Sequence, residues 1–290
     1  MLAGGCSGSN DDTQKAQGPN VLIVAVDTLR ADRLGCYGSD LGATPNIDQF
    51  AGSGVRFARA YAHAPWTLPS FASLFTGLAP PVHGAGGQLG QFRRLRDSAI
   101  TVAETFRDAG YETAAIVNVD FLTATFGMTQ GFDHVDFDVH TNNMEARNAT
   151  DTTDAALTWL KKAHSKPTFL FVHYFDPHLV YSPPAEFRAR FAAPQDREDA
   201  SWLFGTRPQI IAYRNGEVSF DEPTIRRAEH LYNGEVAYTD EQVGRLLAGV
   251  HDAGLDENTI VVFVADHGEE FWDHGGFEHG HSLYDELLHV

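Results

Sequence analysis

Two acidic side chains stand where predicted strands end, and one of them is followed by a histidine. Asp27 follows the apolar run 20–26, and Asp266 and His267 follow the apolar run 259–265. In open α/β sheets ligands bind beyond the carboxyl ends of the strands, so we expect these side chains at one edge. A single aspartate there usually caps a turn or helix, but two of them with a histidine favour a metal site.

A hydroxyl that could act as a nucleophile lies in the stretch 64–77. Pro69 suits the first turn of a helix and Gly77 suits its end, which places Thr67 at the helix N-terminus. Backbone N–H groups and the helix dipole favour an anion at this point. Beside a divalent cation, the Thr67 hydroxyl could lose its proton and attack a tetrahedral ester. The alternative is an ordinary threonine that caps a helix.

Composition restricts the classes of partner. The chain has 290 residues with a formal net charge of −18, so it would repel a phosphate backbone and we expect no nucleic-acid partner. Only two cysteines are present, which excludes a disulfide scaffold in a chain of this size. Of the 14 histidines, five crowd the end of the chain: His267, His274, His279, His281 and His289.

The elements that must position these groups alternate between strand and helix. Continuous apolar runs predict buried strands, and helical periodicity predicts helices between them. The strands are expected at 20–26, 111–119, 167–174 and 259–265, and the helices at 101–109, 155–163 and 228–251. This order indicates an α/β fold with a mainly parallel sheet. Residues 178–226 are rich in Pro, Arg and Phe, and they are expected to form an inserted loop.

The two ends of the chain differ from its body. Residues 1–18 are expected to be a disordered tail or a lipoprotein tether, because small residues precede Cys6 and a polar stretch follows it. Cys6 is therefore a candidate for a lipid anchor in a bacterial cell envelope, in the periplasm or at the membrane. At the other end the chain stops at Val290 within apolar sequence, so we expect a further C-terminal part of the domain.

Ordered motifs extend from Pro19 to the end of the chain, which suggests one domain over 19–290. They include PNVLIVAVDTLRAD at 19–32, APWTLPSFASLFTG at 64–77 and NTIVVFVADHGE at 258–269. Together they resemble the sulfatase family of the alkaline phosphatase superfamily. The resemblance implies an alkaline-phosphatase-like fold, in which helices sandwich a mainly parallel sheet, and a metal-dependent hydrolase of sulfate or phosphate esters.

The resemblance also implies roles for particular residues. Asp27, Asp266 and His267 match metal ligands, and Thr67 matches the nucleophile, whose hydroxyl would also touch the metal. His178 matches a histidine that contacts the sulfate or the leaving group. His279 or His281 lies near a position where many members have a substrate-binding lysine, and we expect His279 to bind substrate and His281 to join His178 in catalysis.

Several positions depart from the family pattern. Thr67 stands where sulfatases have a Cys or Ser that is oxidised to formylglycine, and its extra methyl group prevents that conversion. Phe71 replaces an arginine, Thr28 replaces a second acid, and Val117 and Asn118 stand where a lysine is expected. These departures leave sulfate esters and phosphate esters both open as substrates.

The chemical types of the expected ligand atoms restrict which metal ion can bind. Carboxylates suit Ca²⁺, Mg²⁺ or Mn²⁺, whereas the His267 imidazole argues against Ca²⁺, so we expect one divalent ion, with Mn²⁺ or Zn²⁺ favoured over Ca²⁺. The expected substrate is a small-molecule, glycan or lipid ester. Two other functions stay open, namely a phosphoethanolamine- or glycerophosphate-type transferase and a catalytically inactive binding protein with the sulfatase fold.

Overall fold

The structure is a computed structural model that describes residues 18–88, 90–140, 145–162, 164–193 and 202–290. Its strands are β1 (Asn20–Val26), β2 (Gly86–Gln88), β3 (Gln91–Arg93), β4 (Glu112–Val117), β5 (His134–Phe137), β6 (Val139–His140), β7 (Glu145–Ala146), β8 (Thr168–Tyr174), β9 (Thr259–Ala265), β10 (Glu270–Phe271) and β11 (Phe277–Glu278). Its helices are α1 (Pro45–Gly52), α2 (Thr67–Thr76), α3 (Pro80–His83), α4 (Val102–Asp108), α5 (Ala149–Leu160), α6 (Ala185–Phe191), α7 (Arg207–Arg214), α8 (Glu222–Asp252) and α9 (Asp285–Leu288).

One five-stranded sheet carries the fold, with strand order β5-β4-β8-β1-β9. Every neighbouring pair in it is parallel. β1 lies between β8 and β9, with Val26 opposite Tyr174 on one side and opposite Ala265 on the other. The carboxyl ends of these three strands therefore meet at one edge, as the sequence predicts for the residues that follow them.

Helices cover both faces of this sheet. Side chains alternate along β1, so Leu22, Val24 and Val26 join one apolar cluster with α5 and α8, whereas Ile23 and Ala25 join another with α2 and α4. Burying a Leu, Ile or Phe side chain stabilises the folded state by roughly 1.5–3 kcal/mol, so both clusters hold the helices to the sheet. The expectation of an α/β fold with a helix-covered parallel sheet is confirmed.

The expectation of a loop over 178–226 is wrong, because α6, α7 and the first turn of α8 lie within it. The polar residues and prolines of this segment lie at the N-termini of helices. The Thr206 side chain forms a capping box with Gln209, and the Asp221 side chain accepts a hydrogen bond from the Thr224 N–H. Polar residues and prolines are common both at helix N-termini and in turns, so composition alone could not distinguish helices from a loop here.

Two further expectations concern the chain ends and membranes. Cys6 and residues 1–17 lie outside the described residues, so the tether and the lipid anchor stay predictions. Among the helices that the structure describes, none combines the length and the apolar character that crossing a bilayer requires.

Candidate active site

The expected metal ligands lie together at the carboxyl edge of the sheet. Asp27 directly follows β1, and its N–H donates to the Tyr174 carbonyl at the end of β8. Asp266 directly follows β9, and its N–H points to the Val26 carbonyl at 3.4 Å. Asp27, Asp266 and His267 each offer one ligand atom, and these atoms lie within 4.8 Å of one another. All three side chains are buried.

His267 presents an unprotonated ring nitrogen to the two carboxylates. Its Nδ1 lies 2.9 Å from the Gly268 carbonyl, which can only accept, so Nδ1 carries the hydrogen and Nε2 has the lone pair. Nε2 lies 3.5 Å from Asp27 Oδ1 and 3.3 Å from Asp266 Oδ2. Burial and the charge of nearby His279 lower the pKa of His267 to about 3, so the ring stays neutral.

Each carboxylate has one oxygen bound by the protein and one oxygen without a hydrogen-bond partner among the described atoms. Asp266 Oδ1 accepts the His267 N–H at 2.8 Å, and Asp27 Oδ2 lies 3.3 Å from His173 Nε2. The oxygens left over are Asp27 Oδ1 and Asp266 Oδ2, both on the side of His267 Nε2. Buried acceptors without donors are costly, and a divalent cation satisfies all three atoms at once, so the donor set fits a metal ion.

The pKa values of the two acids diverge. Burial raises the pKa of Asp266 well above its usual value, and the charge of Asp27 raises it further. Burial also acts to raise the pKa of Asp27, but the hydrogen bond with His173 and the electrostatic interaction with the neighbouring histidines outweigh it and leave that pKa lowered. Two buried acids that repel each other are the arrangement that a cation relieves.

Thr67 reaches the same point from the opposite side. It is the first residue of α2, it is 4% exposed, and its Oγ1 lies 3.4 Å from His267 Nε2. Ser70, one turn further, donates its hydroxyl to the Asp266 carbonyl at 2.6 Å and so fixes α2 against the metal ligands. The N-cap residue is Trp66, whose side chain makes no capping bond, so Thr67 is not a capping threonine. The helix N-terminus is therefore open to an anion.

His178 and His279 stand beside this group. The His279 ring lies 4.6 Å from the His267 ring and 5.0 Å from the His178 ring, between centroids. His279 Nδ1 lies 2.8 Å from Glu269 Oε1, and the other Glu269 oxygen accepts from the Tyr181 hydroxyl. Burial acts to lower the pKa of His279, but the charge and hydrogen bond of Glu269 outweigh it and raise that pKa. The raised pKa favours the cationic form of His279, which suits the binding of an anionic group.

His281 is held elsewhere. Its Nε2 lies 2.9 Å from Glu270 Oε2, which also accepts from the Ser282 hydroxyl. The His281 side chain is partly exposed, whereas Glu270 is buried. The structure thus brings His279, and not His281, into contact with the metal-ligand group. The expected catalytic role of His281 stays a prediction without geometric support.

Three residues of the site were missed by sequence reasoning. His173 lies near the end of β8 and contacts Asp27, and Glu269 and Tyr181 hold His279. The available signal for His173 was a single histidine inside an otherwise apolar buried strand. No pattern in the sequence marked Glu269, because its partner His279 lies ten residues further along an irregular stretch.

Comparison with known proteins identifies the family of the chain. The family model described as Sulfatase matches residues 19–290. The chain belongs to the sulfatase family. An arylsulfatase of Clostridium perfringens is 26% identical over 90% of this chain and 65% of its own length. Human iduronate 2-sulfatase is 26% identical over 93% of this chain and 58% of its own length, so the chain spans about 60% of these relatives.

Solved structures share the fold at lower identity. One is a protein bound to its substrate D-glucosamine-2-N,6-O-disulfate, with a TM-score of 0.74, 22% identity and coverage of 94% of this chain and 71% of that one. Another is the phosphonate monoester hydrolase of Agrobacterium radiobacter, with a TM-score of 0.73, 22% identity and coverage of 93% and 66%. The sulfatase fold is thus shown for this chain.

The positions that depart from the family pattern have structural contacts here. The Phe71 ring is fully buried and meets the His173 ring edge-on, with 5.3 Å between centroids. Asn118 donates to the His173 carbonyl and accepts from Arg147 Nε at 2.8 Å. Both residues therefore contact His173.

Proposed function

We propose that this sulfatase-family chain hydrolyses sulfate esters, with Thr67 as the nucleophile and one divalent metal ion held by Asp27, Asp266 and His267. The observation that carries the proposal is that Thr67 Oγ1 lies 3.4 Å from His267 Nε2. The same nitrogen faces Asp27 Oδ1 and Asp266 Oδ2, two buried carboxylate oxygens that have no hydrogen-bond donor among the described residues. When bound, the metal would act as a Lewis acid that lowers the pKa of the Thr67 hydroxyl and polarises the ester.

The chain's own residues account for the other parts of the reaction. Thr67 Oγ1 forms a bond to sulfur while the bond from sulfur to the leaving oxygen breaks in line with it. His279, held protonated by Glu269, is placed to give the leaving oxygen its proton and to hold an equatorial oxygen before that. The proton that Thr67 Oγ1 loses in the first attack passes to water. Attack of a water molecule on sulfur then breaks the bond from sulfur to Thr67 Oγ1 and releases sulfate, and Thr67 Oγ1 takes a proton back from water.

His178 is suited to the second half of the reaction. Its Nδ1 donates to the Leu179 carbonyl at 2.7 Å, so Nε2 has a free lone pair, and burial lowers the pKa of the ring. A neutral His178 can accept a proton from the attacking water. We assign no step to His281, which is bonded to Glu270.

Phosphate esters are the second candidate substrate, because Thr67 cannot become an aldehyde and a phosphorylated threonine is also open to attack by water. The preferred metal is Mn²⁺ or Zn²⁺, since the His267 imidazole is a poor ligand for Ca²⁺. A glycan or a small molecule is the expected carrier of the ester, as for the disulfated glucosamine bound by the structural relative.

The test is turnover of nitrophenyl sulfate, nitrophenyl phosphate and bis-nitrophenyl phosphate with Mn²⁺ or Zn²⁺, beside Thr67→Ala. We expect sulfate turnover, with kcat at least about a thousandfold lower in Thr67→Ala because the nucleophile is lost. Turnover of phosphate substrates alone would replace sulfate by phosphate in the proposal. A folded, metal-loaded protein that turns over none of the three would favour the transferase or the inactive binding protein.

A further inference from the structure

A hairpin beside the nucleophile carries a group of aromatic and basic side chains that the proposed reaction does not use. The hairpin is formed by β2 and β3, in which Gly86 pairs with Arg93. A Cβ atom at Gly86 would lie 3.6 Å from Pro69 Cβ and 3.7 Å from Trp66 Cζ2. The hairpin therefore packs directly against the first turn of α2, which begins with Thr67.

Trp66 connects this hairpin to the histidine side of the site. Besides facing Gly86, its Cβ lies 3.7 Å from the position that a Cβ of Gly280 would take. Gly280 is the neighbour of His279, whose ring lies against His267. Trp66 thus stands between the nucleophile, the hairpin and the loop that carries His279, at the rim of the site.

Three phenylalanines extend Trp66 into an aromatic surface. The Phe92 ring lies 5.8 Å from the Trp66 ring and 5.1 Å from the Phe121 ring, between centroids. Phe126 contacts Phe121 at 5.1 Å, and its carbonyl accepts the Leu95 N–H, which anchors the end of the hairpin. Phe92 is 37% exposed, so part of this surface faces solvent beside the site.

Arginines border the same surface in a strongly acidic chain. The stretch Gln91 to Arg96 contains three arginines, whereas the whole chain has a net charge of −18. Arg93 is exposed and donates from Nε to the Gly84 carbonyl, and Arg94 is half exposed and pairs with Asp97 at 2.9 Å. The Nη2 atom of Arg94 lies 3.3 Å from the position of a Cβ on Gly127, next to Phe126.

We propose that Trp66, Phe92, Phe121, Phe126, Arg93 and Arg94 form a second sugar subsite, here called the hairpin subsite. It takes the pyranose ring next to the one that carries the reacting sulfate. The exposed aromatic edge packs against the apolar face of that ring, and the guanidinium groups bind an anionic substituent on it, a sulfate or a carboxylate. The inference rests on the proposed function, since it makes the substrate an anionic oligosaccharide.

The positive charge of the hairpin subsite and its position beside Thr67 both favour an anionic sugar ring as its ligand. A local positive charge on an acidic protein attracts an anion to the point where the arginines lie. Rigid aromatic side chains supply contact area with little loss of conformational entropy, which suits the flat face of a sugar. Because the hairpin touches both Trp66 and the first turn of α2, a ligand on it is continuous with one at Thr67.

Binding of a heparin-derived sulfated tetrasaccharide tests the subsite apart from catalysis. Isothermal titration is carried out on the full chain loaded with Mn²⁺ and carrying Thr67→Ala, so that nothing is turned over. We expect Phe92→Ala to raise the Kd about fivefold, because the ring contact is lost. Phe92→Tyr keeps the ring, so its Kd should lie within about twofold of the Kd of the protein with Phe92. Arg93→Ala should weaken it about threefold to fivefold at low salt, with less effect at high salt.

The controls separate the subsite from general charge and from folding. Arg107→Ala removes a partly exposed arginine in the last turn of α4, which leads into the amino end of β4, and should leave the Kd unchanged. A tetrasaccharide that is both desulfated and carboxyl-reduced should bind more weakly than the sulfated one, and Arg93→Ala should not change its Kd. Circular dichroism confirms that each variant is folded.

Three outcomes would overturn the hairpin subsite. The first is no binding of the tetrasaccharide, and the second is binding by Phe92→Ala and Arg93→Ala as tight as by the parent. The third is that the two variants lose affinity for anionic lipid vesicles but not for the tetrasaccharide. Failure of the proposed hydrolysis is a separate result, because it would show as no turnover of nitrophenyl sulfate while the binding differences persist.

Discussion

His173 holds the first metal ligand in place from within the sheet. Its Nε2 lies 3.3 Å from Asp27 Oδ2, its carbonyl accepts from Asn118, and its ring packs against Phe71. A hydrogen-bonded carboxylate presents its other oxygen in a fixed direction. The side chain of His173 thus directs Asp27 Oδ1 toward His267 and Asp266.

We expect His173→Leu to weaken metal binding by about tenfold, because Asp27 loses the group that orients it. His173→Gln keeps a donor and should lose less. Competition with a chelating dye measures the Mn²⁺ Kd directly, without need of turnover. A His173→Leu protein that is folded and binds Mn²⁺ as tightly as the parent would refute this positioning role.

Removing a ligand carboxylate has a larger effect. In Asp266→Asn the oxygen without a partner becomes neutral, and its repulsion with Asp27 disappears. We expect metal content, measured by mass spectrometry of the purified protein, to fall from about one ion per chain to well below one. Asp108→Asn, which changes an exposed carboxylate, should keep full metal content.

Sequence reasoning found the residues that lie next to a strong local pattern. Asp27, Asp266 and His267 each follow an apolar strand, and Thr67 begins a helix marked by Pro69 and Gly77, so position along the chain was enough. His173, Glu269 and Tyr181 act through side chains that meet only after folding. The choice between His279 and His281 likewise depended on which glutamate each one faces.

At the scale of elements, α1 is attached to α8 by one aspartate. Asp240, in the middle of α8, accepts from the Ile47 N–H at 2.8 Å through Oδ1 and from the Asn46 side chain at 2.7 Å through Oδ2. The Thr44 N-cap side chain makes no capping bond. A residue from another helix therefore satisfies the first turn of α1.

We expect Asp240→Ala to lower the free energy of unfolding by about 1–3 kcal/mol, because buried donors lose their acceptor. Denaturant titration gives this value. Glu241→Ala changes the exposed neighbour on the same helix and should cost less than about 0.5 kcal/mol. Equal loss in both variants would mean that Asp240 does not hold α1.

The strands were predicted more closely than the helices. β1 and β9 match the predicted ranges, since an apolar run has clear ends. The predicted burial is wrong for β9, which is an edge strand with Ile260 53% and Val262 42% exposed. α5 begins at Ala149, six residues before the predicted start, because the Asn148 side chain caps it through the Asp151 N–H. α6 and α7 were not predicted, since their short apolar faces are interrupted by arginine and proline.

For the whole molecule, a buried acid pair affects stability with pH. Glu235 in α8 is buried, and burial together with the charge of Asp176 raises its pKa well above the usual value. Burial also raises the pKa of Asp176 to about 6. At pH values between its unfolded and folded pKa, each acid holds a proton in the folded state that it releases on unfolding, so stability falls as pH rises through that range.

We expect Glu235→Gln to remove part of this fall, because glutamine keeps the acceptor for the Ser182 N–H without a charge. The Tm difference between Glu235→Gln and the parent should grow by about 2–4 °C or more from pH 5 to pH 8. Glu241→Gln, exposed on the same helix, should show no such trend. A constant difference across this range would mean that Glu235 is already ionised at pH 5.

The strand order has a consequence for synthesis. β1 leaves the ribosome long before β9, yet the two strands pair side by side, and the Thr28 N–H donates to Asp266 Oδ1 across 238 residues. At about 5–20 residues per second, a nascent chain waits roughly 10–50 s between making Asp27 and making its partner acid. The three ligands can therefore hold an ion together only after the stretch from Asp27 to His267 has emerged, so translation of this stretch sets the earliest moment of metal capture.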